Sequence, residues 1–358
     1  MAKKKPVRVG IVGLGRAGWS MQTHELDARK DMFDIVAACD IEGDRCEKMA
    51  ERYGCNTYLK IEDLVADPDV ELVSIATRSP DHVAHALLAL RAGKSVFVEK
   101  PMATTYAEAK KLKPAAAKAK GKLFVRHNRR FEASFQHIRE VIASGILGKV
   151  FEIKLRRNGY QRRDDWQTLI GCGGGQLLNW GPHIIDHALR FLESPVAEIW
   201  SDLKLIAAVG DAEDHLKIIM KGKNGRIVDL EISGGSALGE PECIVLGTKG
   251  ALICGGGQIK LRYIDPKQKL SRARANPGTP GMDACFHQVG RQEALRWIEK
   301  TVPIRPRAKC KESDIWNHVY AAMRERKKFP ITLDEALDVM RVVSKVKEGT
   351  AFAARAGT

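Results

Sequence analysis

The segment "VRVGIVGLGRAG" (Val7–Gly18) decides the fold class of this chain. Its first seven residues form an apolar run, which is typical of a β-strand buried on both faces. The glycines at positions 13, 15 and 18 follow that strand directly and precede a helical pattern. In such a loop Gly13 makes the turn, Gly15 lets a pyrophosphate approach the backbone, and Gly18 lets helix and strand pack closely. The segment therefore predicts a strand–turn–helix unit that binds a dinucleotide at a helix N-terminus.

Further strands and helices alternate up to about residue 127. The strand-like runs are Phe33–Asp40, Glu71–Thr77, Lys94–Lys100 and Lys122–His127, and the helical patterns are Asp44–Arg52, Ile61–Ala66, His82–Ala92 and Thr105–Lys120. This alternation predicts a doubly wound parallel sheet. Asp40 closes the second strand, where a carboxylate accepts hydrogen bonds from a ribose and repels a 2′-phosphate. Because Ile41 and no basic residue follows it, we expect NAD as cofactor, with NADP less favoured.

After about residue 148 the pattern changes to short β-prone runs, with an Asn-Gly hairpin signal at Asn224–Gly225. Helices are predicted at Gly181–Leu192, Ala284–Lys300, Ser313–Arg326 and Leu333–Lys347, the last with Thr332 as N-cap and Glu335 in a capping box. We therefore predict an α/β chain: a Rossmann domain over residues 1–126, and over residues 127–358 an α+β domain with a mostly antiparallel open sheet.

Composition limits the function classes. The 358 residues include 59 basic and 44 acidic side chains, so the net charge is +15, and the eight cysteines form no C-x-x-C pair. With no apolar run long enough to span a bilayer, we expect a reduced, cytoplasmic protein without a membrane partner. Residues 258–311 carry 13 basic and 4 acidic side chains, a net +9. This local excess suits an anionic substrate or a solvated loop, and aromatics at 6% argue against a nucleic-acid partner.

Two segments carry side chains suited to chemistry. "VEKP" (Val98–Pro101) ends a parallel strand, where open α/β sheets bind ligands, and a desolvated lysine there can exchange a proton near neutral pH. "GGGQLLNWGPHIIDHAL" (Gly173–Leu189) puts His183 and His187 four residues apart on a helix. Zinc is not favoured, because no third ligand lies nearby, and we predict no metal site.

Together these segments resemble the Gfo/Idh/MocA family of NAD(P)-dependent sugar and polyol oxidoreductases. The resembling motifs are "GIVGLGRAG", Asp40, "IATRSPDHVAHALLALRAGKSVFVEKP", "NRRF" (Asn128–Phe131), "SGILGKV", "GGGQLLNWGPHIID" and "FPITLDEALDVMRVV". The resemblance implies a Rossmann domain, an open antiparallel sheet that serves as a homodimer or homotetramer interface, and hydride exchange between a nicotinamide and a secondary alcohol. It also implies a small sugar, glycoside or inositol-like substrate, anionic if the basic excess has a function.

The family's catalytic lysine corresponds to Lys100 and its histidine to His183. Its usual aspartate corresponds to Asn179, which cannot hold an imidazolium by charge. We therefore assign proton transfer mainly to Lys100 and secondarily to His183, with Asp186 as a surrogate partner of His183 or an anchor of its helix. The resemblance further implies cofactor contacts at Gly13, Gly15, Arg16, Ala17, Gly18, Asp40, Thr77, Ser79, Pro80, His82, Glu99, Lys100 and Asn128. Implied substrate contacts are Lys100, Arg129, Tyr160, Asp165, Trp166, Asn179 and His183.

Two other functions remain open from the sequence. One is a redox-neutral enzyme whose tightly bound NAD oxidises the substrate transiently during glycoside cleavage or epimerisation. The other is a non-catalytic sensor of sugar or NAD, which the substitution at Asn179 favours slightly and the presence of Lys100 and His183 disfavours.

Overall fold

In a computed structural model, which describes residues 5–272, 274–275, 277–279, 282 and 293–353, the first part of the chain forms a parallel sheet. Its strands are β1 (Val7–Val12), β2 (Phe33–Cys39), β3 (Asn56–Tyr58), β4 (Leu72–Ile75), β5 (Ser95–Val98) and β6 (Leu123–Val125). Over the described residues their spatial order is β3-β2-β1-β4-β5-β6. The order reverses between β1 and β4, and this switch point is where such sheets bind ligands.

Helices cover both faces of this sheet. They are α1 (Thr23–Asp27), which continues a π-helical turn at Arg16–Gln22, α2 (Gly43–Tyr53), α3 (Ile61–Ala66), α4 (His82–Arg91), α5 (Tyr106–Lys110) and α6 (Leu112–Lys118). Val9 and Ile11 of β1 are buried on one face, and Val12 is buried on the other. Burial on both faces explains why the strand sequences are apolar throughout.

The second sheet is built from the remaining strands: β7 (Val150–Asn158), β8 (Val196–Lys204), β9 (His215–Gly222), β10 (Ile227–Ser233), β11 (Cys243–Gly247), β12 (Gly250–Gly255), β13 (Gln258–Ile264) and β14 (Trp297–Pro303). In the described parts of the chain the order is β14-β13-β12-β11-β7-β10-β9-β8. All neighbours pair antiparallel except β7 and β10, which run parallel in its middle. The expected mixture of a parallel sheet and a mostly antiparallel sheet is confirmed.

The remaining helices are α7 (Ala133–Ala143), α8 (Gln176–Asn179), α9 (Gly181–Leu192), α10 (Ile315–Arg324) and α11 (Leu333–Lys347). Helix α9 has the predicted bounds, and the capping box of Thr332 and Glu335 is present at the start of α11. Helix α10 returns to the first sheet, where the Trp316 ring lies 4.4 Å from that of Phe97 and 5.3 Å from that of Phe33. The parallel sheet therefore takes part of its core from the far end of the chain.

Several local predictions were wrong. The helix predicted at 284–300 is a strand from Trp297 onward. Ile298 and Val302 pack toward the core on the same face of this strand, in line with a period of two residues. Residues 284–292 of the predicted helix lie outside the described residues. The helix predicted at 105–120 divides into α5 and α6, since Pro114 cannot donate to the carbonyl four residues earlier, and its N-cap is Thr105. The short strand β3 and the helix α7 were missed. No helix among the described residues is long and apolar enough to cross a membrane.

Candidate active site

The glycine loop has the geometry that its sequence predicts. A Cβ on Gly13, whose φ is +90°, would lie 2.6 Å from the backbone nitrogen of Thr77, and one on Gly18 would lie 2.0 Å from the carbonyl oxygen of Gly13. A Cβ on Gly15 would meet no atom within 4 Å. Two of the glycines therefore permit close backbone packing, and the third borders open space. That opening at the carboxyl edge of β1 fits the pyrophosphate of a dinucleotide.

Asp40 ends β2 beside this loop. Its carboxylate accepts hydrogen bonds from the backbone N–H of Leu14 at 2.6 Å and of Glu42 at 3.0 Å. The Arg45 guanidinium, about half exposed, lies 3.3 Å from both carboxylate oxygens. Asp40 therefore stabilises the glycine loop. The neighbouring Arg45 is a basic side chain beside Asp40, which the cofactor prediction from Ile41 did not include.

The predicted cofactor contacts after β4 pack into the turns around the site. The imidazole of His82 is buried, and its two nitrogens lie 2.7 Å from the carbonyl oxygen of Pro101 and 3.0 Å from that of Thr77. It thus ties the β4 loop to the turn after β5. Ser79 is buried in the turn Ser79–Asp81. Pro80 packs against the glycine-rich segment, since a Cβ on Gly173 would lie 3.1 Å from its Cδ.

Glu99 lies in a buried polar network. Its carboxylate accepts a hydrogen bond from Gln22 at 3.1 Å and lies 3.3 Å from the Arg126 guanidinium. Arg126 is fully buried and also binds both oxygens of Glu25, at 2.6 and 2.7 Å. Because Gln22 and Arg126 hold its carboxylate, Glu99 anchors the backbone next to Lys100.

Lys100 follows β5 and is joined to Pro101 by a cis peptide bond. Its ammonium group donates to the backbone carbonyl of Asn179 at 3.1 Å, which connects the first sheet to α8. Burial lowers the pKa of Lys100 to about 8, and the positive charges of Arg126, Arg16 and Arg129 act in the same direction. An amine with that pKa can give and take a proton near neutral pH.

His183 stands on the first turn of α9 and is buried. Its Nδ1 has no hydrogen-bond partner among the described residues. Burial, with the nearby charges of Lys100 and Arg129, lowers the pKa of His183 well below its usual value. The ring is therefore neutral at physiological pH and is a hydrogen-bonding group rather than a strong base.

Asp186 does not pair with His183. Both of its oxygens bind the Arg130 guanidinium at 2.7 Å, and Arg130 also reaches Glu335 at 2.8 Å. Of the two roles expected for Asp186, the contacts match the anchor of the helix. Asn179 meets Lys100 through its backbone, and its side chain lines a polar cleft.

The remaining predicted substrate contacts have different surroundings. Arg129 lies close to His183, with its Cζ 4.4 Å from the centroid of the Trp180 ring. Tyr160 is exposed, and Asp165 pairs with Arg163 and accepts from the N–H of Gln167. Trp166 contacts the Arg78 guanidinium, which lies 5.6 Å from its ring centroid.

The polar cleft beside Asn179 contains residues that sequence reasoning missed. Its polar lining residues are Gln161, Arg163, Gln167, Thr168, Gln176, Asn179, Glu213 and Asp214. The buried Glu213 accepts from the N–H of Leu177 at 3.0 Å, so it holds the start of α8 in place. One oxygen of Glu213 and the side-chain oxygen of Gln176 have no hydrogen-bond partner among the described residues. Across the same described residues, no group of three or more His, Cys, Asp or Glu side chains could hold a metal ion.

A dinucleotide fits these residues, because the loop is open at Gly15 and the buried Oδ1 of Asn128 has no partner within the described chain. Comparisons with known protein families also indicate a dinucleotide-binding fold. The model of an oxidoreductase family with an NAD-binding Rossmann fold matches residues 7–127, and the GFO/IDH/MocA C-terminal domain matches residues 135–253.

Relatives cover most of the chain. The scyllo-inositol 2-dehydrogenase (NADP(+)) IolW of Bacillus subtilis is 26% identical over 355 residues, which are 97% of this chain and 95% of that protein. The D-glucoside 3-dehydrogenase of Escherichia coli is 31% identical over 199 residues, 54% of this chain and 56% of that protein. The structure of YvaA from Bacillus subtilis superposes with a TM-score of 0.80 at 22% identity over 97% of both chains, which shows the fold. The chain is thus an oxidoreductase with an NAD(P)-binding Rossmann fold, and it belongs to the Gfo/Idh/MocA family.

Proposed function

We propose that this protein is an NAD-dependent dehydrogenase that exchanges a hydride with a secondary hydroxyl or ketone of a sugar, glycoside or inositol-like polyol. The observation that carries the proposal is the position of Lys100, an amine with a pKa near 8 that follows β5 and donates to the Asn179 carbonyl. The dehydrogenases of inositol and glucosides among the relatives support this substrate class.

Lys100 takes the proton of the substrate hydroxyl. Its bond to the Asn179 carbonyl orients the ammonium group, and burial keeps part of the lysine neutral near pH 7. A bound nicotinamide supplies the hydride acceptor, and in reduction Lys100 returns the proton to the new alkoxide. The neutral His183 supports this step by hydrogen bonding to the same oxygen.

The glycine loop, Asp40 and Asn128 hold the cofactor in this proposal. Asp40 disfavours a 2′-phosphate by charge, which supports NAD, and Arg45 is near enough to weaken that preference. The side chains of Gln176, whose Oε1 has no partner among the described residues, and of Asn179 offer hydrogen bonds to polyol hydroxyls.

A substrate panel tests the proposal. Inositols, hexoses and glycosides are incubated with NAD⁺ and with NADP⁺, and 3-keto sugars with the reduced cofactors, while nicotinamide absorbance is followed. We expect net reduction of NAD⁺ by at least one polyol, and at least ~10²-fold less turnover in Lys100→Ala. Lys118→Ala, at an exposed lysine of α6, is the control.

Three results would contradict parts of the proposal. Near-normal turnover in Lys100→Ala would remove that residue from proton transfer. Product formed without net reduced cofactor would favour the redox-neutral enzyme, and binding without turnover would favour the sensor.

We further propose that the second sheet forms the interface of a homo-oligomer. On its outer face Trp200, Ile253 and Trp297 are about half exposed, while their strand neighbours Ile199, Leu252 and Ile298 pack toward the core. Exposed apolar side chains on one face mark interaction surfaces. Light scattering should show a dimer or tetramer that Trp200→Glu weakens, and a monomeric wild type would refute the interface.

A further inference from the structure

The indole of Trp180 contacts two arginine side chains at the edge of the active site. The Cζ atoms of Arg129 and Arg157 lie 4.4 and 3.1 Å from its ring centroid. Trp180 directly follows Asn179, whose carbonyl accepts from Lys100, and its ring centroid lies 5.7 Å from that of His183. Two guanidinium groups therefore meet next to the lysine that we propose transfers the proton.

The two arginines come from different elements. Arg129 lies in the 3₁₀ turn Asn128–Phe131 after β6, and Arg157 lies near the end of β7. Because side chains alternate along a strand, Arg157 shares the face of the buried Leu155. Its neighbour Arg156 points to the opposite face and pairs with Asp229 at 2.7 Å. The alternation thus directs one arginine into a structural ion pair and the next toward Trp180.

Arg129 and Arg157 differ in their ion pairing. Arg129 forms an ion pair with Glu132. Within the described parts of the chain, no carboxylate lies within 4.0 Å of the Arg157 guanidinium. Partial burial lowers the pKa of Arg157 to about 10, and the charge of Arg129 acts in the same direction. Arg157 is exposed and has no direct carboxylate partner among the described residues, although Glu132 and Glu242 lie near enough to attract its charge.

We propose that Arg157, supported by Arg129, binds an anionic group on the substrate, either a carboxylate or a phosphate. The inference rests on the proposed function and narrows its substrate class to sugar acids or sugar phosphates. A guanidinium group offers two parallel N–H donors to such an anion, and the indole of Trp180 holds the guanidinium in place by a cation–π contact. An exposed guanidinium group without a direct carboxylate partner in the described chain also attracts anions from solution.

Calorimetric binding tests the anion site without turnover. D-glucuronate, glucose 6-phosphate and D-glucose are titrated into wild type, Arg157→Gln and Arg157→Lys. The matched control is Arg341→Gln, because Arg341 also lies over an aromatic ring, 5.4 Å from the Tyr106 ring centroid, but on α11 and outside the basic segment 258–311.

We expect wild type to bind at least one anionic sugar about tenfold more tightly than glucose, with a preference that weakens as salt is added. Arg157→Gln should lose that preference, Arg157→Lys should retain part of it, and Arg341→Gln should retain all of it. Preference for glucuronate alone identifies a carboxylate, and preference for glucose 6-phosphate alone identifies a phosphate. No preference in wild type, or an equal preference in Arg157→Gln, would overturn the proposal.

Failure of this inference is separable from failure of the proposed function. If neutral polyols reduce NAD⁺ and no anionic sugar is preferred, the dehydrogenase stands and the anion site is wrong. If an anionic sugar binds through Arg157 and no sugar reduces the cofactor, the anion site stands and the dehydrogenase is wrong.

Discussion

Replacing Lys100 with methionine should abolish turnover and at the same time remove a pH-dependent instability of the fold. Burial lowers the pKa of Lys100 from 10.5 to about 8, so folding disfavours its charged form. Since a pKa difference of one corresponds to 1.36 kcal/mol, holding the charged lysine in the folded protein costs up to about 3 kcal/mol at pH 7. Methionine has a similar length and carries no charge.

The sign of the pH dependence follows from which state binds the proton. Below pH 8 both states are protonated, and wild type bears the full cost. Between pH 8 and 10.5 the folded state releases the proton first, so the stability of wild type rises with pH. Relative to Lys100→Met, wild type should therefore gain up to about 2.5 kcal/mol between pH 7 and pH 10. This figure is an upper bound, because the side chain keeps some contact with solvent.

Urea unfolding of both proteins at pH 7 and pH 10 measures this difference, and titrations shared by the two proteins cancel in it. The bond to the Asn179 carbonyl is stronger from the ammonium at pH 7 than from the neutral amine at pH 10, so it reduces the difference and is a second reason that the figure is an upper bound. Lys118→Met provides the baseline for removing an exposed amine. A stability difference between wild type and Lys100→Met that is the same at both pH values would refute the proposed desolvation of Lys100.

Three further predictions concern the cofactor loop and the last helix. Gly18→Ala puts a Cβ 2.0 Å from a backbone oxygen and should destroy dinucleotide binding and lower the melting temperature. Gly15→Ala, which meets no protein atom, should weaken binding alone, and equal melting temperatures for the two variants would contradict the roles assigned to these glycines. Thr332→Ala removes the N-cap of α11 and should lower the free energy of unfolding by about 1 kcal/mol, measured in urea. Asp40→Ser should free Arg45 for a 2′-phosphate and shift the ratio of kcat/KM for NADP⁺ to that for NAD⁺ upward by about tenfold, and an unchanged ratio would exclude Asp40 as the discriminating residue.

Sequence patterns correctly predicted those elements that depend on interactions between residues close together in the chain. The glycine loop follows from backbone sterics at Gly13 and Gly18, and α9 begins where Pro182 suits a first helical turn. The capping box at Thr332 likewise involves only residues within one turn. The strand β14 was misjudged because only Ile298 and Val302 mark its inner face, with Lys300 between them, and this pattern favours a strand only when β13 lies beside it.

The sequence by itself determined the two kinds of sheet, the dinucleotide loop and the identity of Lys100 and His183 as candidates. The tertiary structure alone decided their environments. It paired Asp186 with Arg130 rather than His183, lowered the pKa of Lys100 through burial, and brought Arg129 and Arg157 to one indole. The physical reason is that desolvation and ion pairing depend on which distant segments pack together. Neither can be obtained from the spacing of residues along the chain.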